Sequence, residues 1–171
     1  MHPLDAGLLV LRLAVGTVML AHGYNHIFGG GKIAGTGRWF ESLGMKPGWL
    51  HAWTASLTEV GAGVLLVVGL LTPLAGAAVV GVMLVALITN HRKNGFFIFR
   101  PGEGYEYVMT LTAAGLFFCG AGAGRVSLDR ALSLDGFGWP TALGCAAVGI
   151  GGAAFLLAVF WRPVRPTSSE G

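Results

Sequence analysis

The stretch that decides the fold is residues 53–89, which read WTASLTEVGAGVLLVVGLLTPLAGAAVVGVMLVALIT. A membrane span needs about 20 mainly apolar residues to cross a hydrocarbon core of about 30 Å, and this stretch is nearly twice that long. Leu71-Thr72-Pro73 divides it, because Thr72 suits a helix N-cap and Pro73 suits a first helical turn. The sequence therefore predicts a tight hairpin of two spanning helices, over residues 53–71 and 73–89.

Three further apolar segments lie outside this hairpin, at residues 4–27, 105–122 and 139–161. Over the whole chain of 171 residues, 54% are hydrophobic and only 11% are charged, against about 25% charged in ordinary soluble domains. The mean hydropathy of +0.69 excludes a water-soluble globule and a disordered chain. Because backbone in lipid must satisfy its own hydrogen bonds, the segments are predicted to be helices. We expect an all-α integral membrane bundle, with a four-helix core and a fifth, C-terminal transmembrane helix.

The regions between and after the spans also have distinct patterns. We expect a core domain over residues 1–131, the extra helix within 132–161 and a disordered tail at 162–171. The first loop begins with a glycine-rich stretch, which we interpret as a flexible segment directly after the first span. It continues as an amphipathic segment at 36–50 that tryptophans anchor at the membrane surface. The N-terminal segment lacks the basic start and small-residue cleavage site of a signal peptide, so we expect it to be a retained span.

The basic residues predict the orientation of the chain in the membrane. If the spans alternate, one side receives eight of them: Lys32, Arg38, Lys46, Arg92, Lys93, Arg100, Arg162 and Arg165. The other side receives Arg125 and Arg130. Since cytoplasmic loops carry the excess of Lys and Arg, we expect the N-terminus outside and the C-terminus in the cytoplasm of a bacterial inner membrane. The net charge of +3 forms no basic patch, so nucleic acid is not an expected partner.

Polar side chains from four spans converge on the basic side of the predicted bundle. Ionisable groups at membrane depth are costly, so each needs a partner or a role. The set comprises His22, His26, Glu59, Asn90, His91, Glu103 and Glu106. We interpret it as a candidate polar cluster that binds a quinone or handles protons.

Each member of this cluster also has a structural interpretation. His22 and His26 have the i, i+4 spacing of two metal ligands, with Glu59 as a possible third, but histidines at a helix C-terminus also suit the dipole or lipid headgroups. Of these two interpretations, we favour the one in which the histidines bind no metal ion. Glu59 is expected to be protonated, or paired with His22 or Arg12, of which His22 is the easier partner by depth, in a structural hydrogen bond or in a functional site.

Several other residues have simpler interpretations. Arg12 is a candidate for a buried ion pair, with Asp5 as a possible partner, or it extends toward the membrane surface. Glu103 and Glu106 suit a first helical turn, and His91 with its basic neighbours suits a membrane anchor. Glycines in the second, third and fifth spans are expected to permit close helix contacts. Cys119 and Cys145 are expected to be packing residues.

Several short motifs, taken in order, resemble the DoxX family of small membrane proteins. They are Leu11-Arg12-Leu13 followed by His22-Gly23, Glu59 in a span leading to Gly69-Leu70-Leu71-Thr72-Pro73, Leu43-Gly44-Met45-Lys46-Pro47, and Gly122 to Asp129. The resemblance spans roughly residues 5–131. It implies a four-helix bundle linked to membrane redox chemistry, since the family name comes from a subunit of a thiosulfate:quinone oxidoreductase. Actinobacterial relatives belong to membrane complexes with superoxide dismutase and a sulfurtransferase.

Two functional hypotheses follow. The first is a subunit of a DoxX-like membrane oxidoreductase complex that binds a quinone at the polar cluster, with other subunits and the lipid bilayer as its partners. The second is a non-catalytic accessory or assembly subunit of a transporter or envelope complex. The sequence does not decide whether the chain is itself an enzyme, and the fifth span departs from the family pattern.

Overall fold

The computed structural model describes residues 2–163, and that part of the chain is helical with short links. It contains α1 (Pro3–Phe28), α2 (Lys32–Ser42), α3 (Gly48–Val68), α4 (Thr72–Ala86), α5 (Glu106–Ala121), α6 (Leu128–Ala131) and α7 (Trp139–Phe160). A π-helical turn at Leu87–His91 and a 3-10 turn at Arg92–Asn94 continue α4. The prediction of an all-helical membrane bundle is confirmed.

Four of the described helices are long and apolar enough to cross a membrane. They are α1, α3, α7 and the stretch Thr72–Asn94 formed by α4 and its continuation. The fourth predicted span is represented by α5, which has 16 residues and a length of about 24 Å, less than a hydrocarbon core of about 30 Å. Helix α5 packs against α4 and α7. The tail was predicted to begin at residue 162, and from residue 164 onward it lies outside the described residues.

Glycines bring the helix pairs into close contact at three places. A Cβ added at Gly16 of α1 would lie 3.0 Å from the carbonyl oxygen of Gly63 in α3, and one at Gly76 of α4 would lie 2.6 Å from that of Gly115 in α5. One added at Gly149 of α7 would lie 2.5 Å from the carbonyl oxygen of Ala77 in α4. Larger side chains would separate these helices. This is the small-residue packing that membrane helices use.

Other glycines that we expected at helix contacts lie beside open space. Within the part of the chain that the structure describes, an added Cβ would meet no atom within 4 Å at Gly61, Gly144, Gly151 or Gly152. Gly61 and Gly152 border a cavity described below. The expectation that glycines serve helix packing is therefore correct for some positions and wrong for these.

Hydrogen bonds join the C-terminal end of α7 to the link between α2 and α3. The backbone N–H of Lys46 donates to the carbonyl oxygen of Phe160 at 3.3 Å, and that of Arg162 donates to Gly44 at 2.9 Å. The indole N–H of Trp161 donates to the carbonyl oxygen of Leu43 at 3.0 Å. The end of α7 therefore holds the link between α2 and α3.

The first loop is more ordered than the glycine-rich sequence indicated. Helix α2 begins at Lys32, so much of the stretch interpreted as a flexible exit is helical. The hydroxyl of Thr36 donates to the carbonyl oxygen of His26 at 2.8 Å, which ties α2 to the end of α1. Phe40 is buried against α3, so this amphipathic helix is part of the bundle's packing.

Asp129, in the short helix α6, caps the N-terminus of α4. Its carboxylate oxygens accept hydrogen bonds from the backbone N–H groups of Leu71 at 2.6 Å and Thr72 at 3.0 Å. Leu71 has a left-handed backbone conformation and is the N-cap, while the buried hydroxyl of Thr72 has no hydrogen-bond partner among the described residues. The sequence-based assignment of Thr72 as the cap is therefore wrong, because a carboxylate from α6 already satisfies the free N–H groups.

Arg12 lies beside this cap and is completely buried. Its guanidinium donates to the carbonyl oxygen of Leu66 at 2.9 Å and to that of Val126, and the charge of Asp129 acts on it. Asp5 instead accepts a hydrogen bond from the backbone N–H of Arg125 at 2.9 Å. The possible Arg12–Asp5 pair is therefore replaced by a junction in which the guanidinium of Arg12 bonds to two carbonyl groups. Asp129 acts on the guanidinium through its charge and forms no direct salt bridge with it among the described residues; we call this region the Arg12–Asp129 junction.

The junction and the Trp161 contacts define two opposite ends of the bundle. The N-terminal half of α1, the α3–α4 turn and the chain after α5 meet at the Arg12–Asp129 junction. The C-terminal ends of α1 and α7, together with α2 and the start of α3, meet at the other end. The long helices therefore alternate in direction, which is the arrangement assumed in counting the basic loops.

We predict that Asp129→Ala destabilises the protein by about 3 kcal/mol, because it removes two hydrogen bonds that a carboxylate accepts at the start of α4 and the negative charge that acts on buried Arg12. The matched control is Asp135→Ala. Asp135 is exposed, and a hydrogen bond from Arg130 lowers the pKa of its carboxyl group, but solvated pairs of this kind contribute little. Thermal unfolding in detergent measures both variants. Equal melting temperatures for the two would contradict this account of the junction.

Candidate functional site

Glu59 lies in the middle of α3, is almost completely buried and faces His26 of α1. The imidazole Nδ1 and a carboxylate oxygen are 3.0 Å apart, with the side chains 18% and 4% exposed respectively. The two atoms are close enough to exchange a proton, but their directions do not make a well-aligned hydrogen bond, so both retain bonding capacity.

Close contact between α1 and α3 places this pair. A Cβ at Gly23 would lie 2.9 Å from the carbonyl oxygen of Ser56 and 2.7 Å from a methyl group of Val60. Because α1 and α3 are antiparallel, His26, one turn after Gly23, and Glu59, one turn after Ser56, lie on opposite sides of this contact. Side chains on a helix tilt toward its N-terminus, so those of His26 and Glu59 lean toward each other and meet at 3.0 Å.

His51 is a third buried ionisable side chain at this end, and the sequence-based interpretation missed it. It is 3% exposed, and its Nε2 atom has no hydrogen-bond partner among the described residues. Its ring lies edge-on to Phe160 of α7, with centroids 5.1 Å apart, and 6.2 Å from the ring of Phe40. His51 was placed in a loop because the span was expected to begin at residue 53, whereas α3 begins at Gly48.

An apolar cavity of about 520 Å³ opens beside these three side chains, between α3, α4 and α7, and we call it the main cavity. His26, His51 and Glu59 are the ionisable side chains among the described residues that line it. Ligand sites are typically apolar cavities of about 300–1,000 Å³ with a few polar groups that fix orientation. The main cavity has both the volume and this distribution of polar groups.

A second cavity of about 360 Å³ lies on the surface between the end of α1 and α2, and we call it the surface cavity. It is lined by Asn25, His26, Thr36, Trp39 and glycines of the first loop. His26 and Trp39 line both cavities. The imidazole therefore stands between a polar space at the surface and the buried carboxylate.

The structure separates the other predicted site residues from Glu59. His22 stacks on Tyr107 with ring centroids 5.9 Å apart, and its Nδ1 bonds to the carbonyl oxygen of Val18 at 2.9 Å. The expected pairing of Glu59 with His22 is therefore wrong, and His26 takes that place.

Asn90, His91 and Glu103 belong to the connection between α4 and α5. His91 Nδ1 bonds to the carbonyl oxygen of Glu103 at 2.9 Å, and the side-chain amide of Asn94 donates to the carbonyl oxygen of Asn90 at 3.2 Å. Glu106 begins α5, as a first-turn carboxylate. Among the described residues, no three His, Cys, Asp or Glu side chains come together as a metal site.

These features define a multi-helix membrane protein with a polar site on the wall of a mainly apolar cavity. The sequence profile of the DoxX family matches residues 7–92, just over half of the 171 residues. The chain therefore belongs to the DoxX family. The matched region contains Arg12, His26, His51 and Glu59 and ends at the turn that follows α4. No curated protein and no solved structure matches the chain.

We predict an energetic coupling between His26 and Glu59 that His22 does not share. Because the 26/59 pair is in direct contact, the change in melting temperature of the double variant His26→Leu/Glu59→Gln should differ from the sum of the single changes by about 3 °C or more. The matched cycle uses His22→Leu with Glu59→Gln, and there the changes should add. Additivity in both cycles would mean that the 3.0 Å contact between His26 and Glu59 contributes no coupling free energy.

Proposed function

We propose that this protein is an integral subunit of a membrane oxidoreductase complex and that it binds a quinone head group beside His26 and Glu59. The observation that carries this proposal is the position of a buried carboxylate–imidazole pair on the wall of an otherwise apolar cavity. Because an ionisable pair at membrane depth is costly, its presence there points to a function.

The chemistry of the pair suits a quinone. The carbonyl oxygens of the head group accept hydrogen bonds from protonated His26, His51 or Glu59, and the apolar walls take the rest of the molecule. Reduction to the quinol adds two electrons and two protons. A redox partner subunit would supply the electrons, and this chain would hold the head group and deliver protons.

His26 gives the protons a route from the membrane surface. It borders the surface cavity on one side and lies 3.0 Å from Glu59 on the other. Histidine changes charge near physiological pH, which suits a group that takes a proton from water and passes it to a carboxylate. Glu59 then serves as the final donor to the head group.

We further propose that the His26 end faces the cytoplasm of a bacterial inner membrane. Seven of the eight basic residues counted for that side fall within the described residues, in the links at this end, while Arg125 and Arg130 lie at the Arg12–Asp129 end. The positive-inside rule supports this orientation. Protons for the site would then come from the cytoplasm.

We predict that Glu59→Gln lowers the affinity for a decyl-tailed benzoquinone by about tenfold or more, because a hydrogen bond to a charged or proton-donating group contributes about 1.5–3 kcal/mol. Binding is measured by titration of the purified protein in lipid nanodiscs, with empty nanodiscs to subtract partition into lipid. Glu106→Gln is the matched control and should bind as the wild type does.

A folded Glu59→Gln variant with unchanged affinity would contradict the quinone site. If the wild type binds no quinone and changes at His26 and Glu59 alter only the abundance of a complex, the protein is an accessory or assembly subunit instead.

The orientation has its own test. In a Cys145→Ala background, we predict that Lys93→Cys is protected in intact spheroplasts from a membrane-impermeant maleimide and reacts after lysis. Ser133→Cys, on the loop at the opposite end, should react before lysis. The reverse pattern would place the His26 end outside the cell.

A further inference from the structure

The helices α3 and α7 meet beside the main cavity at only one level of the bundle, near the C-terminal end of α7. There Leu156 of α7 belongs to one hydrophobic cluster with Ala52 and Ala55 of α3. The indole of Trp161 donates its hydrogen bond to Leu43 just beyond this cluster. These side chains close the space between the two helices at that end.

Glu59 lies at the next level along the two helices. Because α3 and α7 are antiparallel, a step of four residues from Ala55 to Glu59 runs in the same direction as a step from Leu156 back to Gly152. Each step is about 6 Å along its helix axis. Gly152 is therefore level with Glu59.

At this level α7 packs on α4, and α4 forms the floor of the cavity. A Cβ added at Gly149 of α7 would lie 2.5 Å from the carbonyl oxygen of Ala77 and 3.1 Å from the side chain of Val80. Ala78 and Gly81 of α4 also line the cavity. The floor thus lies between α3 on one side and α7 on the other.

The outer edge of the cavity consists of two residues from each helix, Leu57 and Gly61 of α3 with Val148 and Gly152 of α7, and we call them the rim. Leu57 is 60% exposed and Val148 is 61% exposed. A Cβ added at either glycine would meet no described atom within 4 Å. A side chain that lines a cavity and is also mostly exposed marks the place where the cavity meets the exterior.

The exterior beside the rim is the hydrocarbon core of the membrane. Both α3 and α7 are long and apolar enough to cross the bilayer. The rim residues lie near the middle of these helices, which have 21 and 22 residues. All four rim residues are apolar, as lipid-facing positions at this depth require.

We propose that the main cavity opens sideways into the membrane between α3 and α7, and that its ligand, a molecule dissolved in the bilayer, enters past the rim and reaches Glu59. We call this passage the lateral opening. The inference deepens the proposed function and rests on it for the identity of the ligand as a quinone. It gives the site two entrances, one from lipid for the ligand and one through His26 for protons.

The first experiment needs no quinone. The full chain is placed in nanodiscs of phosphatidylcholine that carries a photoactivatable diazirine in one acyl chain, and adducts are mapped by mass spectrometry after irradiation. We expect adducts on the floor, at Ala78 and Gly81, as well as on Phe155, which is 67% exposed on the outer side of α7. Leu66, which is completely buried, should carry none.

A matched pair of double variants tests the route. Gly61→Leu/Gly152→Leu places a side chain in the opening from each side, so adducts on the floor should fall several-fold while those on Phe155 stay the same. Gly144→Leu/Gly151→Leu makes the same two changes at α7 glycines that also have open space among the described residues but do not line the cavity. This control should be labelled as the wild type is.

The second experiment measures the rates of binding of a decyl-tailed benzoquinone in nanodiscs. Leu57→Trp enlarges a rim side chain that is already mostly outside the cavity. The association and dissociation rate constants should both fall about tenfold with the dissociation constant unchanged, because a narrower route slows passage in both directions. Val159→Trp, at an exposed α7 position that does not line the cavity, should leave both rate constants unchanged.

The outcomes separate this inference from the proposed function. A floor without adducts in the wild type overturns the lateral opening, and the quinone site then depends only on its own binding test. Floor adducts that persist in Gly61→Leu/Gly152→Leu, or rate constants that Leu57→Trp does not change, overturn the route past the rim. If the floor is labelled and the wild type binds no quinone, the lateral opening is supported and the proposed function fails.

Discussion

The Arg12–Asp129 junction is the interaction on which the rest of the structure depends. Asp129 caps α4 at its first residues, and Arg12 joins the end of α3 to the chain that follows α5. Buried charges are stabilised only when partners surround them, so the junction specifies one arrangement of α1, α3, α4 and α5 at this end. Gly69 belongs to the same contact, because a Cβ there would collide with the guanidinium.

With one end fixed, packing along the helices decides where space remains. Glycine contacts join α1 to α3 and α4 to α5 and α7, but α3 and α7 face each other across small side chains such as Gly61, Gly152 and Ala153. The main cavity is the consequence. His51 and His26 lie toward the end of the bundle away from the junction, and Glu59 lies on the cavity wall in the middle of α3.

The sequence predicted the helices and the convergence of polar groups, but not their pairing. His22 and His26 are only about 40° apart on α1, and the contact at Gly23 that selects His26 is a tertiary fact. Asn90 and His91 lie in a π-helical turn, which changes the rotation of the helix and directs them to the α4–α5 connection. His51 was missed because the start of α3 was placed too late. The two hydrogen bonds of the Asp129 cap join residues that are 58 and 57 positions apart along the chain, so no local sequence pattern predicts them.

The most direct test of this account is the identity of what the protein carries from its own membrane. Tagged protein is purified in mild detergent, and its bound small molecules are extracted and measured by mass spectrometry. The account predicts a quinone in about stoichiometric amount, and its loss from a folded Glu59→Gln variant. Phospholipids in bulk membrane proportions, with no quinone in either preparation, would contradict it.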